Sequence, residues 1–169
     1  MKKNINILLV DDHSFVLDAY ITMLNQLSIN EPSFEFNIQT ASNYNSALQK
    51  INESIIKKDK IDIITLDISF NSTENNELLS GEDLGLKIKQ LLPEATILVC
   101  TSHNNNYRIN SLIRNFNPLG ILLKGDLNLK TFQTAIKTLI NDTPYYSKTV
   151  LKLIHKKNSI DYTPDKIDR

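Results

Sequence analysis

Three acids, a hydroxyl and a lysine stand at the ends of apolar runs in this 169-residue chain. The stretch "INILLVDDHSF" drives Ile7 to Val10 toward a core and then sets Asp11 and Asp12 side by side. Similarly "IDIITLD" ends in Asp67, "ATILVCTS" in Thr101 and Ser102, and "LGILLKGD" leads to Lys124. Adjacent carboxylates at the edge of an apolar core repel one another unless a cation sits between them. The pair either caps the helix that follows or binds a metal ion. Taken singly, the other residues have ordinary explanations: Asp67 opens a turn, Thr101 ends its strand, Lys124 sits in water. Their joint placement, each directly after an apolar run, argues for one site.

Hydrophobic pattern locates the secondary structure around these residues. Five short apolar runs, 5–10, 34–41, 61–66, 95–100 and 119–123, read as strands. Between them lie helical stripes: Val16, Ala19, Tyr20, Met23, Leu24 and Leu27; Ala47, Leu48, Ile51 and Ile55; Leu84, Ile88, Leu91 and Leu92, ended by Pro93. Two more follow, Ile109, Leu112, Ile113 and Phe116, then Phe132, Ile136, Leu139 and Ile140. Strands alternating with amphipathic helices predict an α/β fold, a doubly wound parallel sheet covered on both faces. Such sheets bind ligands beyond the carboxyl ends of their strands, where the acids, hydroxyl and lysine fall.

Composition narrows the function classes. With 41% hydrophobic and 22% charged residues the chain reads as an ordinary globular protein. Its formal net charge of zero gives no bulk attraction to nucleic acid or anionic membranes. The single cysteine, Cys100, excludes an internal disulfide and reads as a buried, inert thiol. No run is long enough to span a bilayer, and "MKKNINILLVDD" is too short in its apolar part for a signal peptide, so a cytoplasmic protein with no membrane contact is expected.

The segments "LLVDDHSFV", "IITLD", "GEDLGLKIKQLLPEATILVCTS" and "GILLKGD" resemble the receiver domains of bacterial two-component response regulators. "VDDHSFVLDAY", "GILLKGD" and the tail "INDTPYYSKTVLKLIHKK" are further similar to receivers that precede a LuxR/NarL-type helix-turn-helix domain. The resemblance implies a flavodoxin-like five-stranded parallel sheet of order 2-1-3-4-5 and a C-terminal linker helix. It implies a receiver over residues 1–142, a linker helix over 143–160, and the start of a DNA-binding domain at 161–169, the remainder of that domain being absent from this chain.

It also implies roles. Asp67 is the phosphoacceptor, with Thr101 and Lys124 contacting the phosphoryl oxygens. Asp11, Asp12, Asp67 and the backbone carbonyl of Ser69 hold Mg²⁺, a hard ion that prefers oxygen ligands. The implied partners are a sensor histidine kinase, a second copy of the chain, and DNA only through the C-terminal domain. On this reading the protein is a phosphoacceptor switch that catalyses its own phosphorylation and dephosphorylation, not a turnover enzyme.

The sequence departs from that family at three places. Ile121 stands where an aromatic switch residue is usual, and Ser102 where Ala follows the hydroxyl residue. The loop "ISFNSTENNELLSGED" after Asp67 is longer than usual before Gly81, and its polar content reads as an exposed loop. Asn76-Glu77 in it is either a lid or decoration, with decoration favoured because loop insertions cost little. Tyr107 is the weaker candidate for a substitute aromatic switch. The stripe Val150, Leu151, Leu153 and Ile154, flanked by lysines, predicts a helix packed on its own domain or a second copy. His13, His103 and His155 show no metal-ligand spacing and read as incidental. Two other classes fit less well: a pseudo-receiver acting as a phosphorylation-independent interaction module, and a Mg²⁺-dependent phosphohydrolase. The hydrolase ranks last because Ser69 stands where such enzymes place a second Asp.

Overall fold

The computed structural model describes residues 1–74 and 77–160. Its elements run β1 (Lys3–Val10), α1 (Ser14–Asn30), β2 (Phe34–Ala41), α2 (Tyr44–Lys57), β3 (Ile63–Asp67), β4 (Asn71–Glu74), β5 (Glu77–Ser80) and α3 (Gly81–Leu91). They continue with β6 (Thr96–Thr101), α4 (Asn106–Asn115), β7 (Gly120–Leu123), α5 (Leu129–Ile140), β8 (Tyr145–Tyr146) and α6 (Lys148–Ile160).

One sheet of order β2-β1-β3-β6-β7-β8 carries the fold, and every pairing in it is parallel. The inner strands are buried on both faces, which is why they read as nearly continuous apolar runs. In β1, Leu8 and Val10 join the core under α2, α3, α4 and α6, while Ile5, Ile7 and Leu9 join the core under α1 and α5. The edge strand β2 is covered on one face only and alternates accordingly, with Phe34, Phe36 and Ile38 half-buried between exposed polar residues. Capping boxes start α2 at Asn43 with Ser46, α3 at Ser80 with Asp83, and α5 at Asn128 with Thr131.

The expected five-stranded sheet is thus corrected to six strands, with a separate hairpin. Tyr145 and Tyr146 pair with Gly120 and Ile121 along the outer edge of β7. The pairing is made by main-chain bonds, Tyr145 N to Leu119 O at 3.1 Å and Ser147 N to Ile121 O at 3.0 Å. The segment after Asp67, expected as an exposed loop, forms the antiparallel β4–β5 pair instead. Of the Asn76-Glu77 pair, Asn76 lies outside the described residues and Glu77 is exposed. Residues 161–169 also lie outside them.

Helix α6 packs on α4 and β7, with Val150 fully buried, Leu153 and Ile154 half-buried against the same core, and Leu151 exposed. The first turns of α6 are therefore docked against α4 and β7. Two stripes are phased differently from the expectation: Leu17 is buried in α1, and in α2 Ser54 is buried while Ile55 is 44% exposed. Among the described residues, no helix is long and apolar enough to cross a membrane.

Candidate functional site

The parallel sheet carries Asp11, Asp67, Thr101 and Lys124 to one edge, because each follows or ends a strand at its carboxyl end. Asp11, Asp67 and Thr101 are buried, whereas Asp12 is exposed. Lys124 Nζ donates to Asp11 Oδ2 at 2.8 Å and to Asp67 Oδ2 at 3.1 Å, bridging two strands. Burial alone would lower the lysine's pKa; the hydrogen bond to Asp11 and the charges of Asp67 and Asp11 outweigh it and hold the ammonium above its ordinary value.

The free side of Asp67 faces its own turn. Its Oδ1 accepts the Ser69 amide at 2.8 Å and the Ser69 hydroxyl. Ser69 thus meets Asp67 through its amide and hydroxyl donors. Behind this turn, Gly81 sits so close that a Cβ there would lie 2.4 Å from Ile68 Cα and 2.5 Å from Asp67 O. Only glycine permits α3 to begin directly against the Asp67–Ile68 backbone.

His13 is not incidental. Its amide donates to Asp11 Oδ1 at 2.9 Å, and its Nδ1 lies 3.1 Å from that atom and 2.9 Å from Asp12 Oδ1. Asp11, Asp12, His13 and Asp67 each offer one ligand atom, and these atoms all lie within 4.8 Å of one another. Formally, three carboxylates face one ammonium here, which leaves a negative excess suited to a divalent cation. The oxygen-dominated donor set is of the kind that suits Mg²⁺.

Thr101 stands at the same edge, one residue beyond Cys100, the register partner of Asp67. Among the described residues it makes no hydrogen bond to the acids; its Oγ1 accepts the His103 amide at 3.1 Å, which leaves its proton available. Ser102 is exposed. Ile121, at the position where an aromatic is usual, is fully buried in the core, and Tyr107 is 84% exposed. Beneath the site, burial pushes the Cys100 thiol up to about 12, in keeping with an inert side chain. Tyr20, which faces it, is also raised by burial, and its ring stacks on Phe132 at 4.8 Å.

A cleft not expected from the sequence opens beside the Asp67 turn, between the hairpin and α4. It measures about 530 Å³ and is lined by Ser69, Ser80, Glu82, His103, Asn105 and Arg108. Arg108 Nη2 and Glu82 Oε1 pair across it at 3.1 Å. The two lie in different elements, and their charges alone carried no signal of contact.

No protein-family model matches the chain, and no curated protein matches it. Solved structures do. The isolated receiver domain of RcsB from Salmonella enterica serovar Typhimurium, with a phosphomimetic, is 20% identical with a TM-score of 0.69, over 89% of this chain and 99% of that one. A LuxR-family two-component response regulator from Aurantimonas sp. SI85-9A1 is 18% identical with a TM-score of 0.73, over 93% and 99%. RcsB in the structure of two dimers bound to two parallel DNAs is 21% identical with a TM-score of 0.72, over 93% of this chain and 70% of that one. The chain therefore has the fold of the response-regulator receiver domains.

Proposed function

We propose that this chain is a phosphorylatable receiver of LuxR/NarL type, with Asp67 as the phosphoacceptor. The observation that carries the reading is Lys124 bridging the buried Asp11 and Asp67, with Asp12 and Thr101 at the same edge. On this reading an Asp67 oxygen attacks phosphorus in line. The new O–P bond forms as the bond between phosphorus and the donor's leaving group breaks. Lys124 moves its hydrogen bond from Asp67 to a phosphoryl oxygen, and the Thr101 hydroxyl donates to another. Asp11, Asp12, Asp67 and the Ser69 carbonyl would hold Mg²⁺, which would supply neutralising charge to the transferring group. His13, touching both Asp11 and Asp12, orients those two carboxylates.

The donor is a sensor histidine kinase in a cytoplasmic setting, and the output is control of a DNA-binding domain joined beyond α6. The chain acts as a switch whose new charge changes the fold's contacts, not as an enzyme turning over a substrate. The buried Ile121 favours a second reading, a phosphorylation-independent interaction module. Incubation with Mg²⁺ and acetyl phosphate, followed by intact mass, separates the two. Gain of one phosphoryl group that disappears with Asp67→Asn or EDTA supports the receiver; no gain supports the module.

A further inference from the structure

Lys124 opens a single 3-10 turn, Lys124–Asp126, and both ends of that turn are tied to the start of α6. Before it, the Leu123 amide donates to Ser147 Oγ at 3.1 Å. After it, Asp126 Oδ2 accepts the Ser147 hydroxyl at 2.7 Å and the Thr149 amide at 2.9 Å, while Oδ1 accepts the Thr149 hydroxyl at 2.7 Å. Ser147 is 1% exposed, so these bonds are not easily exchanged for water. One residue further along, Val150 enters the core shared by α4 and β7.

The lysine that senses Asp67 and the helix that leaves the domain are thus joined through one three-residue turn. Ile121 leaves no aromatic rotation to report on the site. We propose that Ser147 and Asp126 are positioning residues for Lys124, and that this clamp couples the state of Asp67 to the docking of α6. When Lys124 turns from Asp67 to a phosphoryl oxygen, the turn shifts and the clamp on α6 loosens. Coupling of this kind is reciprocal, so a weakened clamp also misplaces Lys124 at the site. The inference rests on the receiver reading for its direction, but the mechanical link between Lys124 and α6 exists in the unphosphorylated protein.

Amide hydrogen exchange and phosphorylation kinetics test it on the full chain. In unphosphorylated protein, Lys124→Ala is expected to lower protection of the Thr149, Val150 and Leu151 amides by about five-fold beyond any change in the α2 amides, the size of a lost helix cap. Equal changes in α2 and α6 would overturn the link whether or not Asp67 accepts phosphate. In the other direction, Ser147→Ala and Asp126→Asn are expected to slow phosphorylation by acetyl phosphate about ten-fold, within the cost of misplacing a catalytic group. Ser147→Thr, which keeps the hydroxyl, should restore the rate. Variants that melt cooperatively like the parent and phosphorylate at its rate would overturn the positioning role. If the parent gains no phosphoryl mass, the receiver reading fails, and the exchange comparison still decides the coupling.

Discussion

Lys124 Nζ lies 3.1 Å from Asp67 Oδ2, an ion pair between the end of one strand and the start of the turn after another. The carboxylate is 1% exposed and the lysine side chain 19%, so water does little to compensate if either charge is removed. Removing one partner of such a pair leaves an uncompensated buried charge, at a cost of about 3 kcal/mol. Lys124→Ala should therefore lower the urea-unfolding free energy by about that amount in EDTA, and by less in Mg²⁺. A loss independent of Mg²⁺ would separate the lysine from the cation site.

The acid cluster predicts a Mg²⁺-dependent stability. A cation that binds only the folded chain adds about 2.7 kcal/mol when present at a hundredfold over its dissociation constant. Thermal melts should rise with Mg²⁺ and return to baseline with EDTA. Asp12→Asn should remove most of the rise while leaving the metal-free melt nearly unchanged, because Asp12 is exposed.

Gly81 gives a contrast with Gly125. A Cβ at Gly81 would strike the backbone of Asp67 and Ile68, whereas at Gly125 it would meet nothing within 4 Å. Gly81→Ala should destabilise the fold by about 2 kcal/mol or more and slow phosphorylation, since Asp67 must move. Gly125→Ala should leave both close to the parent. Unfolding curves and phosphorylation rates of the two variants check the difference.

Asp126 gives the docking of α6 a pH dependence. Burial opposes its ionisation, but the Ser147 and Thr149 hydroxyls, the Thr149 amide and the Lys148 charge outweigh it and hold its carboxyl below the usual value. Tyr145 faces it as well, raised by its own burial and by the Asp126 charge. A depressed carboxyl contributes stability above the ordinary aspartate range, lost as pH falls through its lowered value. Protection of the Thr149 amide should therefore hold at neutral pH and fall in mildly to strongly acidic solution. Asp126→Asn should remove that acid-side dependence.

Cys100 should be silent toward thiol reagents while the protein is folded. Its side chain is buried and its thiol is held up near 12, so almost no thiolate forms at neutral pH. Alkylation followed by mass spectrometry in a urea series should track unfolding rather than reagent concentration.

The parts of the fold read from sequence were those whose burial demanded a pattern. Strands β1, β3, β6 and β7 are largely enclosed on both faces and so carry nearly continuous apolar runs, which placed Asp11, Asp67, Thr101 and Lys124 at one edge. Strand β8 left no such trace, because its two residues are recruited by main-chain pairing to β7. The β4–β5 hairpin was hidden in the same way, its polar residues resembling loop. Helix α2 differs in phase because Ser54 satisfies its hydroxyl on Ile51 O at 2.7 Å and so can be buried where Ile55 was expected. His13 was missed since its contact with Asp11 and Asp12 comes from a turn two residues long, not from a ligand spacing. The Asp126–Ser147 clamp links residues in different elements whose types are common in any turn, so only the folded chain reveals it.

On the receiver reading Asp67, among three clustered acids, is the one that takes the phosphoryl group. Borohydride reduces an acyl phosphate to the alcohol and so marks the acceptor permanently. The chain, incubated with Mg²⁺ and acetyl phosphate and then reduced, is digested and its peptides sequenced by mass spectrometry. Reduction is expected at Asp67, dependent on both reagents. Reduction at Asp11 or Asp12, or at none of the three, would contradict it.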